Sequence, residues 1–316
     1  MPHEPSHHAA SQPSASARWL ACEASVPEHL ADLVAEKFRQ LGSSAVVFNE
    51  APSASLVNSS GGWVVLQGAF PAHTDLQPLQ RELQHYLDEI ADPCADSPPI
   101  IRRRAIEDEN LQEAWKSSLR PVSVGARLLV CPSWWEMAHG ADTLVVRIDP
   151  GLAFGAGMHP TTQLCLRFLE TGLRREPLPS CLDVGCGSGV LALAAAVLGS
   201  PRVVGIDCDP LAVRVAVDNA ERNHIAERVR FLEAEPAALR ERFGIVVANL
   251  YLDLLSRLLP TLRDLVEPGG CLISSGLLSS QLAPLLRCGD ALGLADAEVS
   301  GEAGWVAVRF HVPPLG

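Results

Sequence analysis

The sequence "CLDVGCGSGVLALAAAVLG", residues 181–199, indicates the fold class of this chain. A short apolar strand runs into Gly185, Gly187 and Gly189, and an apolar helix follows directly. Glycines at such a turn let the backbone bend sharply and approach a ligand that a Cβ atom would exclude. The free N–H groups at the start of the following helix face the same loop. The stretch therefore predicts a strand–loop–helix unit that binds a nucleotide.

The sequence around this unit alternates between short apolar strands and longer helices. We predict helices near 161–174, 188–198, 209–223, 250–266 and 279–291, and strands near 180–184, 202–206, 228–232, 245–248, 270–274 and 304–310. Two strand-like pieces, 127–134 and 143–150, precede them. Such alternation is typical of an α/β domain with a mostly parallel, twisted sheet.

The first third of the chain has a different pattern. Residues 17–98 read in the order β-α-β-β-α, and "IIRRRAIED" at 100–108 supplies a closing strand. This order fits a small α+β domain of the split βαβ type. We therefore expect a disordered tail at 1–16, an α+β domain at 17–106, a linker helix at 107–120 and the α/β domain at 121–316.

Composition limits the class of protein. The 316 residues are 47% hydrophobic, which is enough for a substantial core. No apolar run reaches the ~18 residues of a membrane helix, and the Pro-, Ser- and His-rich start lacks the basic and apolar regions of a secretory signal. We expect a cytoplasmic protein. The net charge of −12 argues against a nucleic-acid scaffold and permits a basic partner, although acidity also favours solubility.

The nine cysteines do not form a metal-binding pattern. Their number is odd, their spacing is scattered, and no C-x-x-C occurs. We expect no metal site and interpret the cysteines as small buried hydrophobic residues in a reducing compartment.

The glycine loop favours a cationic nucleotide over a dinucleotide. Its spacing is G-x-G-x-G. The dinucleotide-binding fingerprint G-x-G-x-x-G would need a glycine at position 190, where this chain has Val190. Asp183 precedes the loop, where its negative charge would not help to bind a pyrophosphate. S-adenosylmethionine has no phosphate and carries a sulfonium and an α-ammonium. It therefore fits this loop better than NAD does.

Polar residues follow the neighbouring strands. Asp207 ends the next strand, where a carboxylate accepts hydrogen bonds from both ribose hydroxyls. The third strand ends near Glu233 and Glu235, where an adenine edge would lie, and the fourth ends at Asn249. Open α/β sheets bind ligands at the carboxyl ends of their strands, so these residues are candidates for one site.

Several motifs add a family resemblance. "LDVGCGSG" (182–189), "VVGIDCDPLAV" (203–213) with "DNAERN" (218–223), and "LVEPGGCLISSGLL" (265–278) resemble the motifs of class I S-adenosylmethionine-dependent methyltransferases. "DPGLAFGAGMHPTTQLCLRFLE" (149–170) and "LQEAWKSSLRPVSVGARLLVCPSWWE" (111–136) resemble the ribosomal protein L11 methyltransferase family more narrowly. The resemblance covers about 107–316.

The resemblance implies both the fold and an activity. It implies a Rossmann-like class I methyltransferase domain preceded by a ferredoxin-like substrate-recognition domain. It also implies methyl transfer from S-adenosylmethionine to lysine ε-amines and an N-terminal α-amine of ribosomal protein L11. We expect a monomer that requires neither direct nucleic-acid contact nor a membrane.

The family's glycine-rich segment closes over the cofactor. In this chain Phe154 would supply an apolar wall and Gly155 a flexible position. Thr161 and Thr162 lie in the first turn of a helix that Pro160 would start. A threonine hydroxyl there can reach the methionine carboxylate, and the family match favours Thr162 over Thr161.

Two residue roles in this region stay open at the sequence level. His159 is either a general base or a helix N-cap, and we favour the cap. The family has Thr where Ala156 and Met158 stand here, so any hydroxyl contact at those positions is lost.

The residues after the fourth strand are the candidates for amine binding. Attack on the methyl group needs a neutral, aligned amine. Asn249, Leu250 and Tyr251 occupy the position where amine-directed methyltransferases place acceptors, supplied here by the Asn249 side chain and the following backbone carbonyls. Tyr251 would wall the target nitrogen or stack on its charge; the alternative is a core or rim aromatic.

Three alternatives remain at the sequence level. The first is a methyltransferase that acts on another protein or on a small-molecule amine. The second is a non-catalytic nucleotide-binding scaffold, and the third is an NAD-dependent dehydrogenase.

Overall fold

The chain divides into two compact units. A computed structural model describes residues 19–27, 30–43, 45–50, 63–71, 74–90, 100–106, 120–136, 138–149, 157–174 and 177–314. The units are Met1–Ser118 and Leu119–Gly316. The predicted tail at 1–16 and most of the predicted linker helix at 107–120 lie outside the described residues.

The first unit has a β-α-β-β-α-β order. Its elements are β1 (Trp19–Pro27), α1 (Ala31–Gln40), β2 (Ala45–Glu50), β3 (Trp63–Pro71), α2 (Leu76–Ile90) and β4 (Ile100–Ile106). The strands pair in the order β2-β3-β1-β4, and every neighbour is antiparallel. Each helix therefore crosses over one intervening strand, which is the split βαβ arrangement of a ferredoxin-like fold. The predicted α+β architecture is confirmed.

The core of this unit follows from side-chain periodicity. Alternate residues of β1 are buried, namely Cys22, Ala24 and Val26, because successive strand residues point to opposite faces. Phe38 from α1 packs against β3 at Gly68, where a Cβ atom would lie 2.5 Å from the phenyl ring. A glycine at this strand position thus lets a large aromatic side chain approach the sheet.

The second unit begins with a small three-stranded sheet. Its strands are β5 (Val122–Val124), β6 (Leu128–Pro132) and β7 (Leu144–Ile148). The order is β5-β6-β7, with β5 antiparallel and β7 parallel to β6. β6 and β7 fall within the strand-like pieces predicted from the sequence, whereas β5 was not predicted.

A seven-stranded sheet follows. Its strands are β8 (Cys181–Val184), β9 (Val203–Asp207), β10 (Val229–Glu233), β11 (Phe243–Asn249), β12 (Val266–Leu278), β13 (Ala295–Glu302) and β14 (Trp305–His311), and the helices are α3 (Pro160–Gly172), α4 (Val190–Val197), α5 (Pro210–Arg222), α6 (Leu252–Asp264) and α7 (Leu282–Ala291). The order is β10-β9-β8-β11-β12-β14-β13. Strands β8 to β12 are parallel, and β14 is antiparallel to both its neighbours. The predicted mostly parallel α/β sheet is confirmed.

Helices cover both faces of this sheet. Cys181, Val203 and Ile245 pack in a core with α3 and α4. Leu182, Val204 and Val246, each one residue further along, pack in a second core with α6 and α7. Both faces of the central strands are therefore buried, which explains their continuous apolar runs.

The differences from the predicted elements have physical causes. Strand β13 was not predicted, because its "ADAEVSGE" sequence is polar and most of it is exposed at the sheet edge. Helix α4 begins at Val190, two residues later than predicted, because Gly187 and Gly189 have φ of +53° and +83°. Those angles are not helical.

The cysteine prediction is partly wrong. Cys22, Cys131, Cys165, Cys181, Cys186 and Cys271 are buried, as expected. Cys208, however, is exposed in the turn after β9, and Cys288 is half-buried. Cys94 lies outside the described residues. In the described parts of the chain, no helix is long and apolar enough to cross a membrane.

A buried carboxylate joins α3 to the small sheet. Glu170 is 2% exposed and accepts hydrogen bonds from the backbone N–H groups of Ala126 and Arg127, both at 2.9 Å. Gly125 has a φ of +62°, and a Cβ atom there would lie 1.9 Å from the Glu170 carboxylate. The β5–β6 turn is thus shaped around this side chain, which then orients the helix that starts at the candidate site.

We expect Glu170→Ala to lower the free energy of unfolding by about 1–3 kcal/mol, because two backbone N–H groups of the turn lose their charged acceptor. Glu170→Gln keeps one acceptor oxygen and should cost less. Urea denaturation of both variants measures the difference. Equal stability of Glu170→Ala and the unchanged chain would show that the turn does not depend on this carboxylate.

Candidate active site

The glycine loop after β8 has the geometry that its sequence predicts. Gly185, Gly187 and Gly189 have φ of +71°, +53° and +83°, a region that other residues rarely adopt. The N–H groups of Gly185 and Cys186 donate to the Ile206 carbonyl at 2.9 Å, which holds the loop against β9. The loop is therefore a fixed backbone surface at the carboxyl end of the sheet.

This loop lies where the strand order reverses. From β8 the chain proceeds outward to β9 and β10 and then returns to β11 on the other side of β8. Open α/β sheets bind ligands in the crevice at such a switch point. Here the loops after β8 and β11 meet, because a Cβ atom at Gly185 would lie 2.7 Å from Leu250 Cδ2.

Asp207 connects the end of β9 to the glycine loop. Its Oδ2 accepts from the Gly187 N–H at 3.0 Å, and its Oδ1 accepts from the Asp209 N–H at 3.0 Å. A carboxylate has about four acceptor positions, so two backbone bonds leave capacity for ribose hydroxyls. The side chain is held in one orientation before any ligand arrives.

Asp183 is a buried carboxylate below the loop. It is 1% exposed, and its Oδ2 accepts from the Ala192 N–H in α4 at 3.0 Å. Its Oδ1 is buried, and no donor among the described residues reaches it. Burial raises the pKa of Asp183 to about 7; the Ala192 hydrogen bond opposes the shift, and the Asp207 charge adds to it. A buried acceptor of this kind suits a cationic ligand group.

The start of α3 resolves the role of His159. This residue is the N-cap of α3, and its Nδ1 accepts from the Thr161 N–H at 3.3 Å and lies 2.7 Å from Thr161 Oγ1. Pro160 occupies the first helical position. Because the Nδ1 lone pair accepts from the Thr161 N–H, this nitrogen is engaged at the helix start and does not take a proton from a substrate. The predicted cap is confirmed, and the general-base alternative is disfavoured.

The two threonines in this first turn have different partners. Both are 1% exposed. The Thr161 hydroxyl pairs with His159, whereas Thr162 Oγ1 accepts from Asn249 Nδ2 at 3.3 Å. Thr162 therefore keeps its own hydroxyl proton available for a carboxylate at the helix N-terminus.

Asn249 presents an unused acceptor at the end of β11. Its Nδ2 is bonded to Thr162, while its Oδ1 is buried and meets no donor in the parts of the chain that the structure describes. The next residue, Leu250, donates its N–H to the Ser275 carbonyl at 3.0 Å. Its carbonyl lies against Gly276, where a Cβ atom would be 2.4 Å away. The loop is thus locked to β12, and Tyr251 beyond it is 44% exposed.

Of the remaining predicted site residues, the structure describes Glu235 but not Phe154 or Gly155. Glu235 is exposed at the cap of a short 3₁₀ helix, Pro236–Ala238, two residues after β10. Phe154 and Gly155 lie outside the described residues. Gly157, at the end of the same glycine-rich segment, has a φ of +83° and packs on Val130. No group of three or more metal-ligating side chains occurs within the described ranges.

Sequence reasoning missed two asparagines near the loop. Asn219 of α5 bonds to the backbone of residue 149, and Asn223, the C-cap of α5, bonds to that of residue 147. Asn219 also bonds to Ser188 in the glycine loop. Their spacing of four residues places them on one helix face. The "DNAERN" motif contains both, but its pattern alone does not reveal their backbone partners.

Comparisons with known proteins agree on one family. The sequence model of the ribosomal protein L11 methyltransferase family matches residues 18–312. The ribosomal protein L11 methyltransferase of Pelotomaculum thermopropionicum is 37% identical over 308 residues, covering 93% of this chain and 99% of the relative. That of Chromohalobacter salexigens is 36% identical over 305 residues, covering 93% and 99%.

A solved structure of a ribosomal protein L11 methylase is also similar to this chain. The ribosomal protein L11 methylase of Lactobacillus delbrueckii subsp. bulgaricus superposes with a TM-score of 0.57 at 27% identity. The match covers 61% of this chain and 98% of that one.

The contacts in the first turn of α3 predict which of two substitutions weakens cofactor binding more. Thr162→Ala should weaken binding of S-adenosylmethionine by about 10-fold, because it removes the buried hydroxyl that we expect to donate to the cofactor carboxylate. His159→Ala should lower stability through the lost cap and weaken binding less. Isothermal calorimetry and thermal melts separate the two effects. The reverse ranking in affinity would contradict these assignments.

The buried carboxyl of Asp183 leads us to expect that cofactor affinity depends on pH. The carboxyl must be ionised to attract an ammonium group, and its pKa in the protein is about 7. Affinity for S-adenosylmethionine should therefore fall by up to ~10-fold per pH unit as the pH drops below 7. Asp183→Asn should bind more weakly at pH ~7.5 and show a flat profile. An unchanged slope in that variant would assign the pH dependence to another group.

Proposed function

Because this chain belongs to the ribosomal protein L11 methyltransferase family, we propose that it transfers methyl groups from S-adenosylmethionine to amino groups of ribosomal protein L11. The target groups are lysine side chains and the N-terminal amine. The observation that carries the amine specificity is the buried, unused acceptor oxygen of Asn249 among the described residues, beside the candidate cofactor loop.

S-adenosylmethionine is the cofactor, and it supplies a methyl group already activated on a sulfonium. The residues at the site fit it, since the buried Asp183 Oδ1 awaits a cationic partner and the α3 N-terminus favours an anion. The residues proposed to hold it are Phe154, Gly155, Thr161, Thr162, Asp183, Gly185, Gly187, Asp207, Glu235 and Asn249.

Each polar residue in this set has a proposed task. Asp207 accepts hydrogen bonds from the ribose hydroxyls, and Glu235 lies where the adenine edge would be read. Asp183 balances the α-ammonium group. Thr162 donates to the carboxylate, with Thr161 behind it, and the backbone of Gly185 and Gly187 provides the close surface that a Cβ atom would fill.

The loop after β11 is proposed to hold the target amine. Asn249 Oδ1 accepts an N–H of the incoming amine and so directs the nitrogen lone pair. The Leu250 carbonyl faces Gly276 and fixes the loop, which supports a positioning task for this residue. The exposed Tyr251 ring is placed to contact the arriving side chain or its charge.

The proton balance sets a further requirement. Amines are protonated near neutral pH and must lose a proton before they can attack. His159 is committed to capping α3, so this proton passes to solvent rather than to that ring. Activity on a lysine target is accordingly expected to rise with pH.

The first unit is the proposed substrate-recognition domain, over residues 17–106, joined by 107–120 to the methyltransferase domain at 121–316. The net charge of −12 suits a lysine-bearing target. No disulfide joins any of the eight described cysteines, which suits a cytoplasmic enzyme. We propose that it acts as a monomer and needs no nucleic acid.

Substitutions at Asn249 test its role in the reaction. Asn249→Ala should lower kcat for L11 by about 10- to 100-fold, because it removes the acceptor that aligns the amine. Asn249→Asp keeps an acceptor and should retain more activity. The Kd of S-adenosylhomocysteine is the control and should change less than kcat. Equal loss in both variants would show that the Nδ2–Thr162 bond matters instead.

The identity of the methyl acceptor is tested in two separate incubations. Radiolabel from S-adenosylmethionine is followed with purified L11 and, separately, with a cell lysate. We expect label on L11 in both. Label on other proteins or small molecules, and never on L11, would support a different methyltransferase. Cofactor binding without any transfer would support a non-catalytic scaffold.

A further inference from the structure

Asn219 is a fully buried amide whose hydrogen-bonding groups are all used. It is 0% exposed on α5. Its Oδ1 accepts from the Asp149 N–H at 2.9 Å. Its Nδ2 donates to the Asp149 carbonyl at 3.1 Å and to the Ser188 carbonyl at 2.9 Å. One side chain therefore connects the end of the small sheet to the glycine loop.

Asn223 makes a parallel set of bonds one helical turn later. Its Oδ1 accepts from the Arg147 N–H at 2.8 Å, and its Nδ2 donates to the Arg147 carbonyl at 2.6 Å. Strand β7 is an edge strand, and residues 147 and 149 direct their backbone groups to the same side. The two asparagines thus take the place of a neighbouring strand along this edge.

Of the two amides, Asn219 alone reaches the glycine loop. Ser188 lies between Gly187 and Gly189, both with positive φ, and is itself 0% exposed. On the same face of α5, Ala216 packs so closely that a Cβ atom at Gly189 would lie 3.0 Å from its methyl group. Helix α5 therefore supports the loop at two adjacent residues.

We propose that Asn219 is a positioning residue for the cofactor, which it serves by fixing the Ser188 peptide. That peptide sets the course of the loop in which the Gly187 N–H donates to Asp207. If Ser188 rotates, the orientation of the proposed ribose acceptor is no longer fixed. This inference rests on the proposed function, because it assumes that the loop binds S-adenosylmethionine.

The arrangement predicts a specific kinetic effect. The hydrogen bonds of Asn219 do not involve Asn249 or Thr162, which hold the proposed amine site. Loss of Asn219 should therefore raise the KM for the cofactor and leave kcat at saturating cofactor nearly unchanged. A residue that served only global stability would not produce this split.

Asn219→Asp is the sharpest test, because the volume is kept while both donated bonds are lost. Its new oxygen would face the carbonyls of Asp149 and Ser188. We expect the Kd of S-adenosylhomocysteine and the KM of S-adenosylmethionine to rise by at least ~10-fold, with kcat within ~2-fold. Asn219→Ala removes these two bonds and also the bond accepted from the Asp149 N–H, without adding charge, and should shift both constants in the same direction.

Asn223→Asp is the matched control. It makes the same chemical change against the same strand, away from the glycine loop. Its melting temperature should fall, while the Kd stays within ~3-fold of the unchanged chain. Equal loss of affinity in the two Asp variants, or normal affinity in Asn219→Asp, would overturn the proposal. Calorimetry with S-adenosylhomocysteine needs no methyl acceptor, so failure of L11 labelling leaves this test intact.

Discussion

Leu250 lies between two glycines, and the site depends on that packing. Its side chain occupies the space that a Cβ atom at Gly185 would take, and its backbone lies against Gly276, where a Cβ atom would be 2.4 Å from its carbonyl oxygen. The first contact joins the loop after β11 to the glycine loop, and the second joins it to β12. A side chain at either glycine would separate the proposed amine acceptor from the proposed cofactor surface.

Much of the site followed from the sequence because strand ends share one edge of a parallel sheet. Strand–loop–helix alternation placed Asp183, Asp207 and Asn249 at the carboxyl ends of neighbouring strands, as observed. The cap at His159 was also anticipated, since proline follows it at the first helical position. These features are local, and local patterns are what a sequence displays directly.

The rest required three-dimensional contacts. The "DNAERN" motif reveals two asparagines on one helix face but not the backbone edge of β7 that they pair with. Strand β13 is polar and exposed, and it forms only because β14 offers an edge to pair with. Glu170 is likewise buried because it accepts a hydrogen bond from a turn more than forty residues earlier in the chain. Each case depends on partners that are distant in sequence.

In the proposed reaction the cofactor supplies the activated methyl group, and the chain aligns the acceptor amine with it. We propose that the acceptor aligned at Asn249 is an amine of ribosomal protein L11. The decisive experiment is intact-mass analysis of purified L11 after incubation with this protein and S-adenosylmethionine. We expect mass increments of whole methyl groups, located on lysine side chains or the N-terminal amine. An unchanged L11 mass, with the cofactor bound and consumed on another substrate, would contradict this proposal.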